Sequence, residues 1–215
     1  ELAQRIAAGA TTILIPIGGT EQSGPHLTLG KHNVRVKRLA ERIARELGNA
    51  VVAPVIAYVP EGSLAPPSGH MRYPGTITIP ADAYRKTLES AARSLKLAGF
   101  RDIVFLGDSG DYQKDNQAVA AMLDREWSAT PVRAHAIAEY YRAATTGFAD
   151  ALRKQGHAAG EIGPHAGLAD TSLMLAVDPS QVRAERLHDK ALPGVTGNPA
   201  RASAATGQPA VDAIV

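Results

Sequence analysis

Apolar residues run through this chain in two alternating rhythms. Residues 11–18, TTILIPIG, form a nearly unbroken β-branched run, the pattern of a strand buried on both faces. In residues 33–48, Val36, Leu39, Ala40, Ile43, Ala44 and Leu47 recur at steps of three and four, with Arg and Glu between them. That spacing predicts an amphipathic helix, and Gly48 is its expected C-cap. The alternation continues with a strand over 50–59, a helix over 81–99, a strand over 102–106, a helix over 116–127, a strand over 132–138 and a helix over 147–154. Residues 1–9 read as the tail of a helix, 165–176 as a helix or a loop–helix junction, and 182–187 as a short helical piece. The order β-α-β-α-β-α-β-α predicts an α/β sandwich with a mostly parallel central sheet, in one domain over residues 1–215. Residues 60–80 break the rhythm. Loops beyond about 12–15 residues in a compact domain are usually functional.

Composition narrows this picture mainly by exclusion. The 23 Lys and Arg against 21 Asp and Glu leave a formal charge of +2, spread along helices rather than gathered in a basic block. With no aromatic residues interleaved among the cations, nucleic acid is not an expected partner. The absence of cysteine removes disulfides, thiolate ligands and Cys nucleophiles together. No apolar run approaches the roughly 20 residues needed to cross a bilayer, so no membrane partner is expected. The sequence starts at Glu1 rather than Met. A trimmed upstream segment is therefore expected, a signal peptide being one candidate, and the compartment stays open between cytoplasm and periplasm. The ending VDAIV reads as a helix start that breaks off.

Candidate chemistry gathers where strands end. The first strand opens into a Gly-rich turn that delivers Glu21, Ser23, His26 and His32 within a dozen residues; the third opens into Gly107-Asp108-Ser109-Gly110-Asp111. In a parallel sheet both turns lie on the carboxyl edge, where open α/β sheets bind ligands. Imidazole beside carboxylate suits a divalent metal, with Glu21, His32, Asp108 and Asp111 as candidate ligands. Helix capping by Asp108, Ser109 and Asp111, and simple packing of His32, are the competing structural reading. His70 in the long loop would face the same pocket. His165, just ahead of Asp170-Thr171-Ser172, would be a general acid or base. His135, His157 and His188 read as structural. No GxSxG elbow, P-loop or GxGxxG fingerprint is present.

Four stretches, in order, resemble the creatininase (creatinine amidohydrolase) family. IPIGGTEQSGPHLTLGKH resembles its PxGxxEQHGPHLPLxxD signature, and GHMRYPGTITI resembles HxxFPGTxS. IVFLGDSGDY stands in place of the NGHxxN strand end, and HAGLADTSLMLAVDP resembles HAGxxETSLML. The resemblance implies a three-layer α/β/α sandwich, hydrolysis of amides, cyclic amides or related C–N bonds, and a homo-oligomer, commonly a hexamer. It also implies two divalent metals, but this sequence departs from that ligand set. Glu21 is kept. Ser23 stands where a His belongs, His32 where a bridging Asp belongs, and Ser109 where the NGH histidine belongs. Asp111, or Asp108 after a one-residue shift, takes the place of a further carboxylate. Imidazole does not bridge two ions as carboxylate does, so the expectation is one divalent ion, Zn, Mn, Fe or Ni, held by Glu21, His32 and Asp108 or Asp111. His165 then shuttles protons, and His70 lines the pocket for a small-molecule amide or lactone. The alternatives are a non-catalytic metabolite-binding or structural relative, and a metal-dependent isomerase or lyase.

Overall fold

The computed structural model describes residues 1–215. The chain folds as α1 (Leu2–Ala7), β1 (Thr12–Ile17), α2 (Lys31–Leu47), β2 (Ala50–Val52), α3 (Ala81–Leu97), β3 (Asp102–Gly107), α4 (Gln113–Glu126) and β4 (Arg133–Ala136). It continues as α5 (Ala138–Arg142), a π-helical turn over Ala143–Gly147, α6 (Phe148–Lys154), α7 (Ala159–Ile162), α8 (Leu168–Val177) and α9 (Ala204–Ile214). The four strands form one wholly parallel sheet in the order β2-β1-β3-β4. No helix is long and apolar enough to cross a membrane.

The period-two geometry of the central strands divides the core into two layers. Ile13, Ile15 and Ile17 of β1, with Ile103 and Phe105 of β3, pack against Tyr84 and Leu88 of α3 and Val119 and Leu123 of α4. Leu14, Val104 and Leu106 point the other way, toward Val36 and Leu39 of α2, Phe148 and Leu152 of α6, Leu173 of α8 and Val211 of α9. Both faces of β1 are thus covered and all six of its residues are buried, which explains its continuous apolar run. The expected three-layer α/β/α sandwich is present.

Boundaries differ in instructive ways. The helix expected from residue 33 begins at Lys31, and the one expected over 147–154 is the last part of a longer run from Ala138 that passes through the π turn. The broken-off ending is α9, an eleven-residue helix whose N-cap Ser203 accepts from the backbone N–H of Thr206. Pro209 sits inside it, in the stretch that sequence patterning did not credit with a helix.

Two local contacts hold the carboxyl edge of the sheet together. Gly18 lies so close to α2 that a Cβ there would meet Asn33 Oδ1 at 2.1 Å and the Asn33 backbone at 2.8 Å. The Gly19 N–H donates to that Asn33 oxygen at 3.0 Å. On the other side, the buried Tyr112 hydroxyl donates toward the carbonyls of Ile17 and Gly18 and accepts from the N–H groups of Asp108 and Ser109. The two polar turns and the first turn of α2 are therefore pinned to one place.

Candidate active site

At that place the N-terminal end of α2 points three cationic side chains inward. Lys31, His32 and Arg35 extend the buried stripe of Val36, Leu39 and Ala40 by one turn toward the N-terminus, and all three are buried. Each meets a carboxylate from a different segment. His32 lies between Glu21 Oε1, 2.7 Å from Nε2, and Asp108 Oδ2, 2.6 Å from Nδ1. Arg35 donates to Asp108 through Nε at 2.9 Å and to Asp170 through Nη1 at 2.5 Å. The Lys31 ammonium donates to Asp170 and lies 3.8 Å from Glu21. Tyr140 donates to the remaining Asp108 oxygen at 2.7 Å, and the Ala166 N–H donates to Asp170 at 2.9 Å.

Three cations and three carboxylates thus close a buried network, which is what makes their burial tolerable. Burial and the Lys31 charge work against a proton on His32, but hydrogen bonds to Asp108 and Glu21 prevail and raise its pKa. Burial pushes the three carboxylates up, yet their partners win. Arg35 and His32 hold Asp108 below its ordinary value, Lys31 and Arg35 hold Asp170 well below, and His32 and Lys31 hold Glu21 far below.

His32 and Asp108, both expected as ligands, are engaged by neighbouring side chains. Nε2 of His32 faces Glu21, and Nδ1 faces Asp108 with the Arg35 Nη2 also 3.1 Å away. Both oxygens of Asp108 are taken by Arg35, His32 and Tyr140. Asp111 lies outside the network on the cavity wall, where its side chain stays exposed on one side; partial desolvation on the other, together with the Glu21 charge, raises its carboxyl above the ordinary value.

The donors that do converge are Glu21, His70 and His165, with one ligand atom from each lying within 4.8 Å of the others. His165 Nε2–H donates to the Gln22 carbonyl at 3.1 Å, which turns Nδ1 toward Glu21 Oε1, 3.6 Å away. Such a second hydrogen bond is how ligating imidazoles are commonly oriented. Burial is the main reason that His165 is pushed down to about 4, aided by Lys31, so its ring is neutral near neutral pH. The ring of His70 lies against it, centroids 3.8 Å apart, and His70 Nδ1 is buried with no hydrogen-bond partner. An orphaned imidazole nitrogen, a neutral imidazole and a carboxylate form a candidate site for a divalent ion.

The long loop brings His70 to this point. A 3-10 turn, Gly69–Arg72, carries the residue; Thr76 donates its hydroxyl to the His70 carbonyl and accepts from the Gln22 N–H, and Ile77 pairs with Thr20. His165 is held by mutual backbone bonds with Thr196 just before α8. These groups open on a cavity of about 760 Å³, whose outer wall includes Tyr141, Thr145 and Thr146 around the π turn. His135 and His157 pair with Asp102 and Glu161 away from the cavity, as expected of structural residues.

Sequence reasoning missed Lys31, Arg35 and Asp170. For the first two a signal existed: each lies four residues before a member of the Arg35–Leu39 stripe of α2. Asp170 was read only as a helix start.

The comparisons with known proteins agree with this fold. A mycofactocin precursor peptide peptidase of Mycobacterium ulcerans (strain Agy99) is 30% identical over 186 residues, covering 82% of this chain and 62% of that protein. A creatinine amidohydrolase of Pseudomonas putida is 25% identical over 197 residues, covering 88% and 73%. The chain thus spans about three-fifths of the length of the peptidases that it matches. Among solved structures, a tryptophan-to-alanine mutant creatininase superposes with a TM-score of 0.83 at 21% identity, covering 99% of this chain and 90% of that one. Creatininases of the same fold have been solved in a Zn-Zn form and with Mn. The family profile described as creatinine amidohydrolase matches residues 1–215, and this chain belongs to the creatininase family.

Proposed function

We propose that this chain is a metal-dependent hydrolase of an amide, cyclic amide or related C–N bond, using one divalent ion held by Glu21, His70 and His165. The observation that carries this reading is the convergence of those three donors beside an otherwise charge-closed network. Creatininase relatives solved with Zn or Mn favour an ion of that class. When bound, such an ion polarises a carbonyl and makes water a nucleophile near neutral pH.

The chain's own residues supply the rest. The Gln22 carbonyl fixes the tautomer of His165, and the Thr76 hydroxyl anchors the His70 backbone. His32 fixes one oxygen of Glu21. With both imidazoles turned toward Glu21, the proton-carrying role assigned to His165 from sequence passes to Asp111. Its carboxyl is on the cavity wall, and its raised pKa suits it to hold and release a proton. The cavity admits a small-molecule substrate or one end of a peptide.

Metal analysis tests the reading. Protein reconstituted with Zn²⁺ should carry one ion per chain after desalting. Glu21→Ala, His70→Ala and His165→Ala should each lose it while keeping the wild-type circular dichroism spectrum. Uptake of no ion, or of two, would overturn the assignment. The loaded protein should hydrolyse members of a panel of cyclic amides and short peptides, and EDTA should abolish that activity.

A further inference from the structure

One residue other than glycine has a left-handed backbone, and it directly follows a proposed ligand. Ala166, at φ 54°, stands between His165 and the N-cap of α8, fully buried. A residue with a Cβ adopts this region at a cost and keeps it only where its surroundings hold it there. Such strain gathers at functional sites. Because Ala166 is joined to His165, its conformation helps set the direction in which the chain carries that imidazole toward Glu21 and His70.

Both backbone polar groups of Ala166 are clamped. Its N–H donates to Asp170 Oδ2 at 2.9 Å, which ties it to the network of Lys31 and Arg35. Its carbonyl lies 3.1 Å from the Thr171 hydroxyl and 3.1 Å from His26 Nε2, and it accepts from both. A carbonyl has no proton to give, so Nε2 carries the proton of His26. His26 and Thr171 are fully buried. Nδ1 of His26 lies 2.9 Å from where a Cβ at Gly24 would stand and has no hydrogen-bond partner, so the ring is anchored through Nε2 alone. Thr171 reaches Ala166 from only five residues away, within the start of α8. His26 comes from 140 residues earlier, in the turn that also carries Glu21. It therefore fastens the strained residue beside one proposed ligand to the segment that supplies another.

We propose that His26 is a positioning residue for the ion site: by holding the Ala166 carbonyl it keeps the left-handed backbone that aims His165 at Glu21. This rests on the three-donor reading above and adds a residue that touches neither ion nor substrate. The strain supplies the means of separating this role from plain packing. With alanine at 166 the backbone needs the His26 hydrogen bond to stay left-handed. With glycine there the same conformation costs little, and the bond becomes dispensable.

Co²⁺ is the probe, because its affinity and visible absorption can be measured without a substrate. Wild-type protein should bind one Co²⁺. His26→Leu removes the donor and should bind Co²⁺ about tenfold more weakly, as losing a group that orients a ligand commonly does, with the far-UV circular dichroism of the wild type. His26→Gln, whose amide N–H can reach the same carbonyl, should keep most of the affinity. Adding Ala166→Gly to His26→Leu should restore it, although glycine fills no space that the imidazole left. Thr171→Val removes the other donor at nearly constant shape. Its loss should be smaller and should also vanish with Ala166→Gly, which carries the comparison if His26→Leu does not fold. An equal loss with alanine and with glycine at 166, or wild-type affinity in folded His26→Leu, would overturn the role of His26 while leaving the three-donor site standing. Failure of the wild type to bind Co²⁺ would overturn both.

Discussion

At the scale of the residue, His32 shows how one side chain can serve opposite chemistries. An imidazole between two carboxylates is a cation that donates twice; beside an ion it would be a neutral acceptor. Here Glu21 and Asp108, each under 3 Å away, decide for the cation. Because the network is closed, removing a single charge should be expensive. Asp108→Asn leaves Arg35 and His32 buried with one carboxylate fewer, and breaking such a pair costs about 3–5 kcal/mol. Urea unfolding should register a loss of that order, whereas Asp111→Asn, outside the network, should leave the midpoint nearly unchanged. Glu21 was legible from its motif, and His70 and His165 were legible as members of the same pocket. Their convergence as a donor set was not legible, since it depends on the Gln22 carbonyl and on the course of the 60–80 loop. The two carboxylates beside His32 were not legible because they come from segments 11 and 76 residues away, and spacing carries no record of them.

At the scale of the element, α2 does most to organise the site. Its apolar stripe gave away its existence, and Gly48, in the left-handed conformation at φ 72°, marks its end. Its beginning was harder to see because no side chain caps it and Lys31 and His32 occupy the first turn with Arg35 just beyond, against the usual preference for negative charge there. Tertiary carboxylates override that preference. The close passage of Gly18 over Asn33 sets where this turn meets β1. Gly18→Ala would force its methyl into the Asn33 side chain and backbone, and overpacking of this kind costs about 1–3 kcal/mol. The expected outcome is a lower urea midpoint together with weaker Co²⁺ binding, since Glu21 follows three residues later. Wild-type behaviour in both measurements would show that the contact is not what registers the loop. The first part of α9, ahead of the VDAIV that reads as a helix start, escaped the sequence reading because Ala, Gly and Pro predominate there; its burial against α8 holds it, not its propensity.

At the scale of the whole molecule, the parallel sheet was readable because both faces of β1 and β3 are covered, and covered strands leave continuous apolar runs. What the runs could not report is which polar side chains the fold also buries, and these govern its response to acid. His26 is fully buried, and burial lowers its pKa from 6.5; its Nε2 lies 3.1 Å from the Ala166 carbonyl and 3.0 Å from the Thr171 hydroxyl. The unfolded chain therefore takes up a proton at this residue before the native state does, and its contribution to the stability of metal-free protein is lost as the pH falls below about 6.5. His165, held at about 4, loses its contribution over the same window, whereas Glu61, held up at about 8, contributes in the opposite sense between its folded value and its ordinary one. Asp108 and Asp170 act lower down. Their folded-state values lie beneath 3.8, so their contribution is fully present above that pH and is lost as the pH falls through the folded values. The contribution of His26 is therefore read as a difference: as the pH drops from about 8 to about 5, the urea midpoint of metal-free His26→Gln should rise relative to that of the wild type. A constant difference across that range would show that His26 is protonated as readily in the folded chain as in the unfolded one.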